Sequence, residues 1–226
     1  VFFTRPRRFG KTLNMSMLYY FFSIKEKENA YLFNGLNISK NKKAIKHQNQ
    51  YPTLFITLKD MKNSSYEKQM NRFKEIICLC AKNFLELLDS DELLDSEKKL
   101  FQKYVDNETE DNELEREIFN ISYFLYKHYH QKVIILIDEY DVPLQAAYQY
   151  NYYDEMVEFL RSVFSSALKT NDALEKGIMT GCLRISKESI FTGLNNFTSY
   201  SILNNIGNEY FGFNENEVKQ LLEDYQ

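Results

Sequence analysis

Apolar residues along the chain recur with two different spacings, and these spacings predict strands that alternate with helices. Four segments rich in apolar or β-branched residues are typical of buried strands: 1–3, 53–58, 133–137 and 178–180. Apolar positions three and four residues apart predict helices within four further segments: 13–24, 70–87, 114–128 and 156–167. Strands separated by helices indicate an α/β fold, in which a parallel sheet is covered by helices on both faces. Residues 200–202 are the best candidate for a fifth strand.

Composition narrows the class of protein. With 226 residues, of which 44% are hydrophobic, the chain is long and apolar enough for a sizeable core. The net charge of −4 argues against a protein that coats nucleic acid, and nucleic-acid contact stays an open question. No aliphatic run exceeds the five residues of 133–137, so no membrane partner is expected. Three cysteines are too few for a disulfide framework and favour a reducing, cytoplasmic compartment.

The middle of the chain is strongly acidic. Residues 86–117 contain 13 acidic and 4 basic residues, a net charge of −9 that leaves the rest of the chain basic. A solvated helical face is the ordinary interpretation of such a segment, and an interaction surface is the alternative. We expect an acidic helical insertion at about 62–130, within a single domain spanning 1–226. Because the sequence opens on Val1 and stops inside a polar helical pattern, that domain is expected to be truncated at both ends.

A basic turn joins the first predicted strand to the first predicted helix, with the sequence Arg-Pro-Arg-Arg-Phe-Gly-Lys-Thr at residues 5–12. Its end matches the phosphate-loop pattern, although Arg5 stands where that pattern has its first glycine. Gly10 would let backbone N–H groups point at phosphate oxygens. Lys11 would reach the β- and γ-phosphates, and the Thr12 hydroxyl would ligate magnesium. An ordinary basic turn capped by Thr12 is the alternative.

Two adjacent acids follow the apolar strand 133–137. The carboxyl end of a central parallel strand is where ligands bind in such sheets. Asp138 would hold magnesium, and Glu139 would polarise an attacking water, as phosphoryl transfer requires. After the strand 178–180, Thr180 is placed to sense a γ-phosphate, and Arg184 to neutralise developing charge in its own or a neighbouring subunit. A polar strand end and a surface cation are the alternatives for these two.

Three segments carry a resemblance to a known family. Residues 4–14, 137–144 and 181–196 resemble the motifs of the predicted AAA-ATPase-like family, in which an arginine at the position of Arg5 is usual. The resemblance implies a three-layer P-loop NTPase fold with strand order 5-1-4-3-2. It also implies binding and hydrolysis of ATP with Mg²⁺, and a restriction-endonuclease-like nuclease domain that commonly follows the ATPase domain.

The residues expected to act in such a site fall into three groups. The candidates for nucleotide binding form one segment: Arg5, Pro6, Arg7, Arg8, Phe9, Gly10, Lys11, Thr12 and Leu13. The candidates for catalysis are Glu139, Thr180 and Arg184, and those for the metal are Thr12 and Asp138. Hydrolysis would drive or gate a fused or partner effector, and a homo-oligomer is possible. A slowly hydrolysing ATP-binding switch and a non-enzymatic scaffold are the alternatives.

Overall fold

A computed structural model describes residues 1–182, 198–204 and 207–225, and its centre is a parallel sheet. The five strands are β1 (Phe2–Thr4), β2 (Thr53–Thr57), β3 (Val133–Asp138), β4 (Leu174–Gly181) and β5 (Ser199–Tyr200). Their order across the sheet is β2-β3-β4-β1-β5, and every neighbouring pair is parallel. This is the order 5-1-4-3-2 that the resemblance implied, so the prediction is confirmed.

Seven α-helices accompany the sheet in the described part of the chain. They are α1 (Lys11–Phe22), α2 (Tyr66–Ala81), α3 (Asp95–Asp106), α4 (Glu117–Tyr129), α5 (Val142–Gln149), α6 (Tyr153–Leu168) and α7 (Glu215–Asp224). Segments of 3₁₀-helix lie at Ile24–Phe33, Asn37–Lys40, Ile45–His47, Lys82–Asp89, Asp111–Arg116 and Asn208–Tyr210. Within the described residues, no helix is both long and apolar enough to cross a bilayer.

Strand β3 divides the core into two layers because successive side chains of a strand point to opposite faces. Ile134 and Leu136 pack in a small cluster with Met15 of α1. Ile135 and Ile137 belong to a larger cluster that includes buried residues of α2, α4 and α6. All six residues of β3 are buried, as a central strand of a parallel sheet requires. The α/β prediction, with helices on both faces, is therefore confirmed.

Three local predictions need correction. The apolar spacing over 70–87 predicted one long helix, but α2 ends at Ala81 and a 3₁₀ segment with non-helical backbone at Phe84 (φ −132°) follows. Phe84 and Leu87 are nevertheless buried in the same core, so the spacing reports burial on both sides of the break. The fifth strand is Ser199–Tyr200, which begins one residue earlier and ends two residues earlier than the predicted segment 200–202. In α1, Leu13 and Met17 belong to the apolar spacing over 13–24 but are exposed, whereas Met15, which lies outside that spacing, is buried.

The acidic segment between β2 and β3 packs on the sheet through apolar residues of α2, α3 and α4. Several of its carboxylates are paired at the surface. Glu86 forms a 2.5 Å ion pair with Lys25 and accepts a 2.5 Å hydrogen bond from the Tyr129 hydroxyl, and Glu97 pairs with Lys127 at 2.6 Å. Nine of the 13 acidic residues of 86–117 are exposed, in line with the ordinary interpretation of the sequence.

Glu117 differs, because only 1% of it is exposed and its Oε2 has no hydrogen-bond partner among the described residues. Burial raises the pKa of Glu117 from 4.5 to about 7, opposed by a hydrogen bond with Thr109 and by the charge of Lys74. The folded protein therefore binds more protons than the unfolded chain between about pH 4.5 and 7. The free energy of unfolding should decrease as the pH rises through this window.

We expect Glu117→Gln to remove this pH dependence, because a neutral amide pays no cost of ionisation. At pH 8 the variant should be more stable than the parent by roughly 3 kcal/mol, and at pH 4 the difference should vanish. Urea unfolding at pH 4, 6 and 8 measures both values. Glu110→Gln, which removes a carboxylate from an exposed position nearby, is the matched control and should change little. Equal effects of the two variants would contradict the assignment.

Candidate functional site

The polar residues singled out in the sequence come together at the carboxyl edge of three adjacent strands. The loop 5–10 follows β1, Asp138 ends β3, and Thr180 lies at the end of β4, between the other two strands. The register places Phe3 opposite Thr180, and Ile137 opposite Met179. Parallel strands that lie side by side present their following loops at one edge, so this convergence follows directly from the strand order.

The loop between β1 and α1 turns sharply. Arg8 and Gly10 both have left-handed backbone, with φ of +69° and +74°, and Gly10 is the residue that caps the N-terminus of α1. Lys11 is 6% exposed, and its Nζ donates to the Pro6 carbonyl at 2.9 Å and lies 3.3 Å from Cys182 Sγ. The ammonium is therefore held inside the loop, beside a helix N-terminus that favours anions.

Asp138 is the centre of the cluster. It is 1% exposed, and its two carboxylate oxygens accept hydrogen bonds from two hydroxyls. Thr12 Oγ1 donates to Oδ2 at 2.6 Å, and Thr180 Oγ1 donates to Oδ1. The structure thus brings together Thr12 and Asp138, both expected at the metal, with Thr180 of the neighbouring strand. Carboxylate and hydroxyl oxygens are ligands that suit Mg²⁺.

Glu139 follows Asp138 and is one of the residues that line the cleft described below. Its backbone is left-handed (φ +56°), which is costly for a residue with a Cβ. Asp141 is fully buried and joins two elements: it accepts hydrogen bonds from the Cys182 N–H (3.2 Å to each oxygen) and from Gln145 Nε2 (2.8 Å). Asp141 therefore connects the start of α5 to the residue that follows β4.

A cleft of about 790 Å³ opens in front of these groups. The lining includes seven predicted site residues: Arg7, Arg8, Gly10, Lys11, Thr12, Leu13 and Glu139.

The other described residues of the predicted nucleotide segment do not line the cleft. Arg5 is 97% buried beside β5: its NH1 donates to the Thr4 and Tyr200 carbonyls, and its guanidinium stacks over Phe211 at 5.0 Å. Burial lowers the pKa of Arg5 from 12.5. Pro6 contributes its carbonyl to Lys11, and Phe9 packs beside Gly212. Arg184 lies outside the described residues.

Comparison with known proteins agrees with this arrangement. A family model described as a predicted AAA-ATPase matches residues 1–191, which is most of the chain. The chain belongs to this family. The match includes the loop 5–12, the Asp138–Glu139 pair and all of β4, and the family description supports nucleotide binding in general terms. No curated protein and no solved structure matches the chain.

Other residues of this predicted AAA-ATPase border the cleft without having been expected there. They are Lys62, Val142, Gln145, Ala146, Gln149, Tyr150 and Cys182. Gln145 connects two parts of the site, because its Nε2 donates to Asp141 and its Oε1 accepts from Arg7 NH2 at 3.4 Å. The four-residue interval between Asp141 and Gln145 is the one sequence signal for this contact, since such residues face each other on one side of a helix.

Gly181 is a structural requirement of the site. A Cβ there would lie 2.6 Å from Tyr140 Cδ1 and 2.7 Å from Asp141 Oδ1. Both neighbours are fully buried, so neither can withdraw easily. We expect Gly181→Ala to lower the free energy of unfolding by roughly 2–3 kcal/mol through overpacking.

Urea unfolding measures this effect, and Gly177→Ala in the same strand is its control. At Gly177 the nearest atom is the terminal Cδ2 of Leu168, at 2.7 Å, which belongs to a partly buried side chain. That side chain can rotate, so the control should cost less than about 1 kcal/mol. Similar losses for the two variants would contradict the role given to Gly181.

Proposed function

We propose that this chain binds ATP with Mg²⁺ and hydrolyses the bond between the β- and γ-phosphates. The observation that carries the proposal is the hydrogen-bonded cluster of Thr12, Asp138 and Thr180, which lies at the same edge as Lys11 and Glu139. Lys11 and Glu139 line the cleft beside the N-terminus of α1, and the buried Asp138 carboxylate accepts a hydrogen bond from Thr12, which also lines it. A cation, a helix N-terminus and two carboxylates are the parts that phosphoryl transfer needs. The family description supports the same reaction class.

The residues at the centre of the cluster fit a magnesium site. Thr12 and Asp138 offer a hydroxyl and a carboxylate oxygen that already lie 2.6 Å apart, and these two residues would hold the ion. When bound, Mg²⁺ neutralises phosphate charge and orients the phosphate oxygens. Thr180 shares the Asp138 carboxylate, which supports its role as a γ-phosphate sensor. Arg184 is proposed to neutralise developing charge on the same phosphate.

Lys11 and Glu139 have separate tasks in this proposal. Lys11 would exchange the Pro6 carbonyl for phosphate oxygens, which are stronger acceptors because they are charged. Glu139, at the border of the cleft, would accept a proton from the attacking water and hold that water in line with the leaving group. The strained backbone at Glu139 supports a functional role, since left-handed non-glycine residues concentrate at such sites.

Hydrolysis is proposed to drive or gate an effector, either a partner or a domain fused to the same chain. Three residues of the nucleotide segment and of α1 contact Tyr210–Gly212, which leads to α7. Arg5 stacks over Phe211, Phe9 lies against Gly212, and Asn14 Nδ2 donates to the Tyr210 carbonyl at 2.6 Å. A change at the phosphate loop would therefore reach this segment directly. The same contacts would serve a slowly hydrolysing switch, which is the second candidate.

Equilibrium binding of ATP and of GTP, each with and without Mg²⁺, tests the proposal, followed by measurement of phosphate release. Magnesium-dependent ATP binding with release of phosphate would support an ATPase. Binding with release slower than about one turnover per hour would favour the switch. If the folded protein binds neither nucleotide at millimolar concentration, the site does not bind nucleotide and the proposal is wrong.

A further inference from the structure

A second cavity, separate from the cleft, is an apolar groove of about 670 Å³. We call it the α1 groove, because Met17, Leu18 and Phe21 of α1 form one wall. Leu36 and Ile38 of the 3₁₀ region line another part, and Phe211 another. The α1 groove shares no lining residue with the cleft among the described residues. Leu36 and Met17 are 45% and 43% exposed, so apolar surface is open to solvent here. Grooves of this kind commonly receive an amphipathic helix.

Helix α7 has an apolar face that belongs to neither hydrophobic core cluster of the described residues. Val218, Leu221, Leu222 and Tyr225 are spaced as successive turns of one helical face, and they are 40–88% exposed. None of the residues of α7 is buried. The helix itself is well formed, because Asn214 and Glu217 make a reciprocal capping box with hydrogen bonds of 3.0 and 2.8 Å. A stable helix with an uncovered apolar face is suited to a groove.

The charges of the groove margin and of α7 are opposite. Residues 37–47, which include groove-lining positions, carry four lysines and no acid: Lys40, Lys42, Lys43 and Lys46. All four lysines are exposed. Helix α7 carries four acids and one lysine: Glu215, Glu217, Glu223, Asp224 and Lys219. Among the described residues, none of these charged groups forms an ion pair. Opposite charges around an apolar contact favour one binding partner over others and determine how the two surfaces are oriented.

We propose that the apolar face of α7 from one copy of this chain lies in the α1 groove of a second copy. The acidic residues of the helix then face the lysines of 37–47. A second copy is favoured because the connection to α7 is held in place: Asn14 binds the Tyr210 carbonyl, Phe9 lies against Gly212, and the capping box begins at Asn214. Exchange of α7 in both directions gives a closed two-fold dimer, in which each contact occurs twice. This proposal does not rest on the proposed function.

Sedimentation equilibrium of the full chain at about 1–100 µM tests the proposal. We expect a dimer, and we expect Leu222→Asp on α7 and Leu36→Asp in the α1 groove each to weaken it at least tenfold. The control is Leu79→Asp on α2, a leucine as exposed as Leu222 (61% against 60%) that does not line the groove, and it should leave the dimer unchanged. All three positions are exposed, so the fold should survive each change, and circular dichroism checks this.

Mixing the two disruptive variants distinguishes exchange from other dimers. The Leu222→Asp chain keeps an intact groove and the Leu36→Asp chain keeps an intact helix, so the mixture should form heterodimers through one of the two contacts. Recovery of association on mixing would support the exchange. A monomeric parent throughout this concentration range would overturn the proposal, including the case in which α7 occupies its own groove. A parent dimer that survives both substitutions would also overturn it.

Discussion

Replacing Lys11 with alanine is expected to weaken ATP binding by about 100-fold, the largest single effect on affinity in the proposed site. The Lys11 ammonium is almost fully buried and is held by the Pro6 carbonyl within the turn that leads into α1. It would contact two charged phosphates, and a hydrogen bond between charged groups contributes about 1.5–3 kcal/mol. A loss of roughly 3 kcal/mol corresponds to about two orders of magnitude in Kd. Titration with ATP and Mg²⁺ by calorimetry measures it.

The matched control for Lys11→Ala is Lys132→Ala. Lys132 is exposed and immediately precedes β3, so it lies at the opposite, amino end of the sheet. The control removes the same charge from the protein without touching the cleft, and its Kd should stay within about twofold of the parent value. Because Lys11 is buried, circular dichroism and thermal unfolding must show that the variant is folded. A folded Lys11→Ala protein that binds ATP normally would contradict the phosphate-loop assignment.

The strands show what hydrophobic patterning predicts well. A run such as 133–137 is apolar at every position because β3 is covered on both faces. Patterning alone does not give the order of strands, since it carries no information about which strands pair. The resemblance of the three motifs to a family supplies that order, and the structure confirms it.

The helical segments show where patterning fails. Spacings of three and four continue from Met70 to Leu87 because both α2 and the 3₁₀ segment after it pack on the same core. The break at Phe84 depends on backbone angles that the spacing of apolar residues does not encode. In α1, the spacing of apolar residues over 13–24 includes Phe21, which is buried, but also Leu13 and Met17, which are exposed, and it omits the buried Met15. Each of the two exposed side chains borders a cavity, where exposed apolar residues are to be expected.

In the candidate site, too, some contacts could be predicted from the sequence and others could not. Thr12, Asp138 and Thr180 could be predicted as neighbours because each follows or ends a strand whose place in the sheet the resemblance implied. Contacts between parts of the chain with no spacing signal could not be predicted, and the contacts of Gln145 with Arg7 and of Cys182 with Asp141 are examples. The sequence also did not predict that the Arg5 guanidinium points toward β5. A basic residue in a phosphate loop suggests an anion, whereas here its donors reach backbone carbonyls.

Glu139→Gln should separate binding from turnover, and it is expected to have the largest effect on rate. The amide has nearly the same shape as the carboxylate, so contacts with nucleotide and the backbone at φ +56° should be retained. It cannot accept a proton from water, and loss of a general base typically costs 10²–10⁴-fold in rate. We therefore expect an unchanged Kd for ATP and a steady-state phosphate release slower by about 100- to 10,000-fold.

The control for Glu139→Gln is Glu175→Gln, which makes the same chemical change at an exposed position near the other end of β4. Its rate should match the parent rate. The Kd for ATP and the rate of phosphate release together discriminate between roles for Glu139. Weakened ATP binding by the Glu139→Gln variant would mean that this carboxylate positions the nucleotide or its metal. A variant with normal binding and normal turnover would mean that the water is activated by another group, and Glu139 would then have no part in the reaction. Normal binding with lost turnover is the one combination that a water-orienting carboxylate produces, because its interaction is made with the attacking water and not with bound ATP.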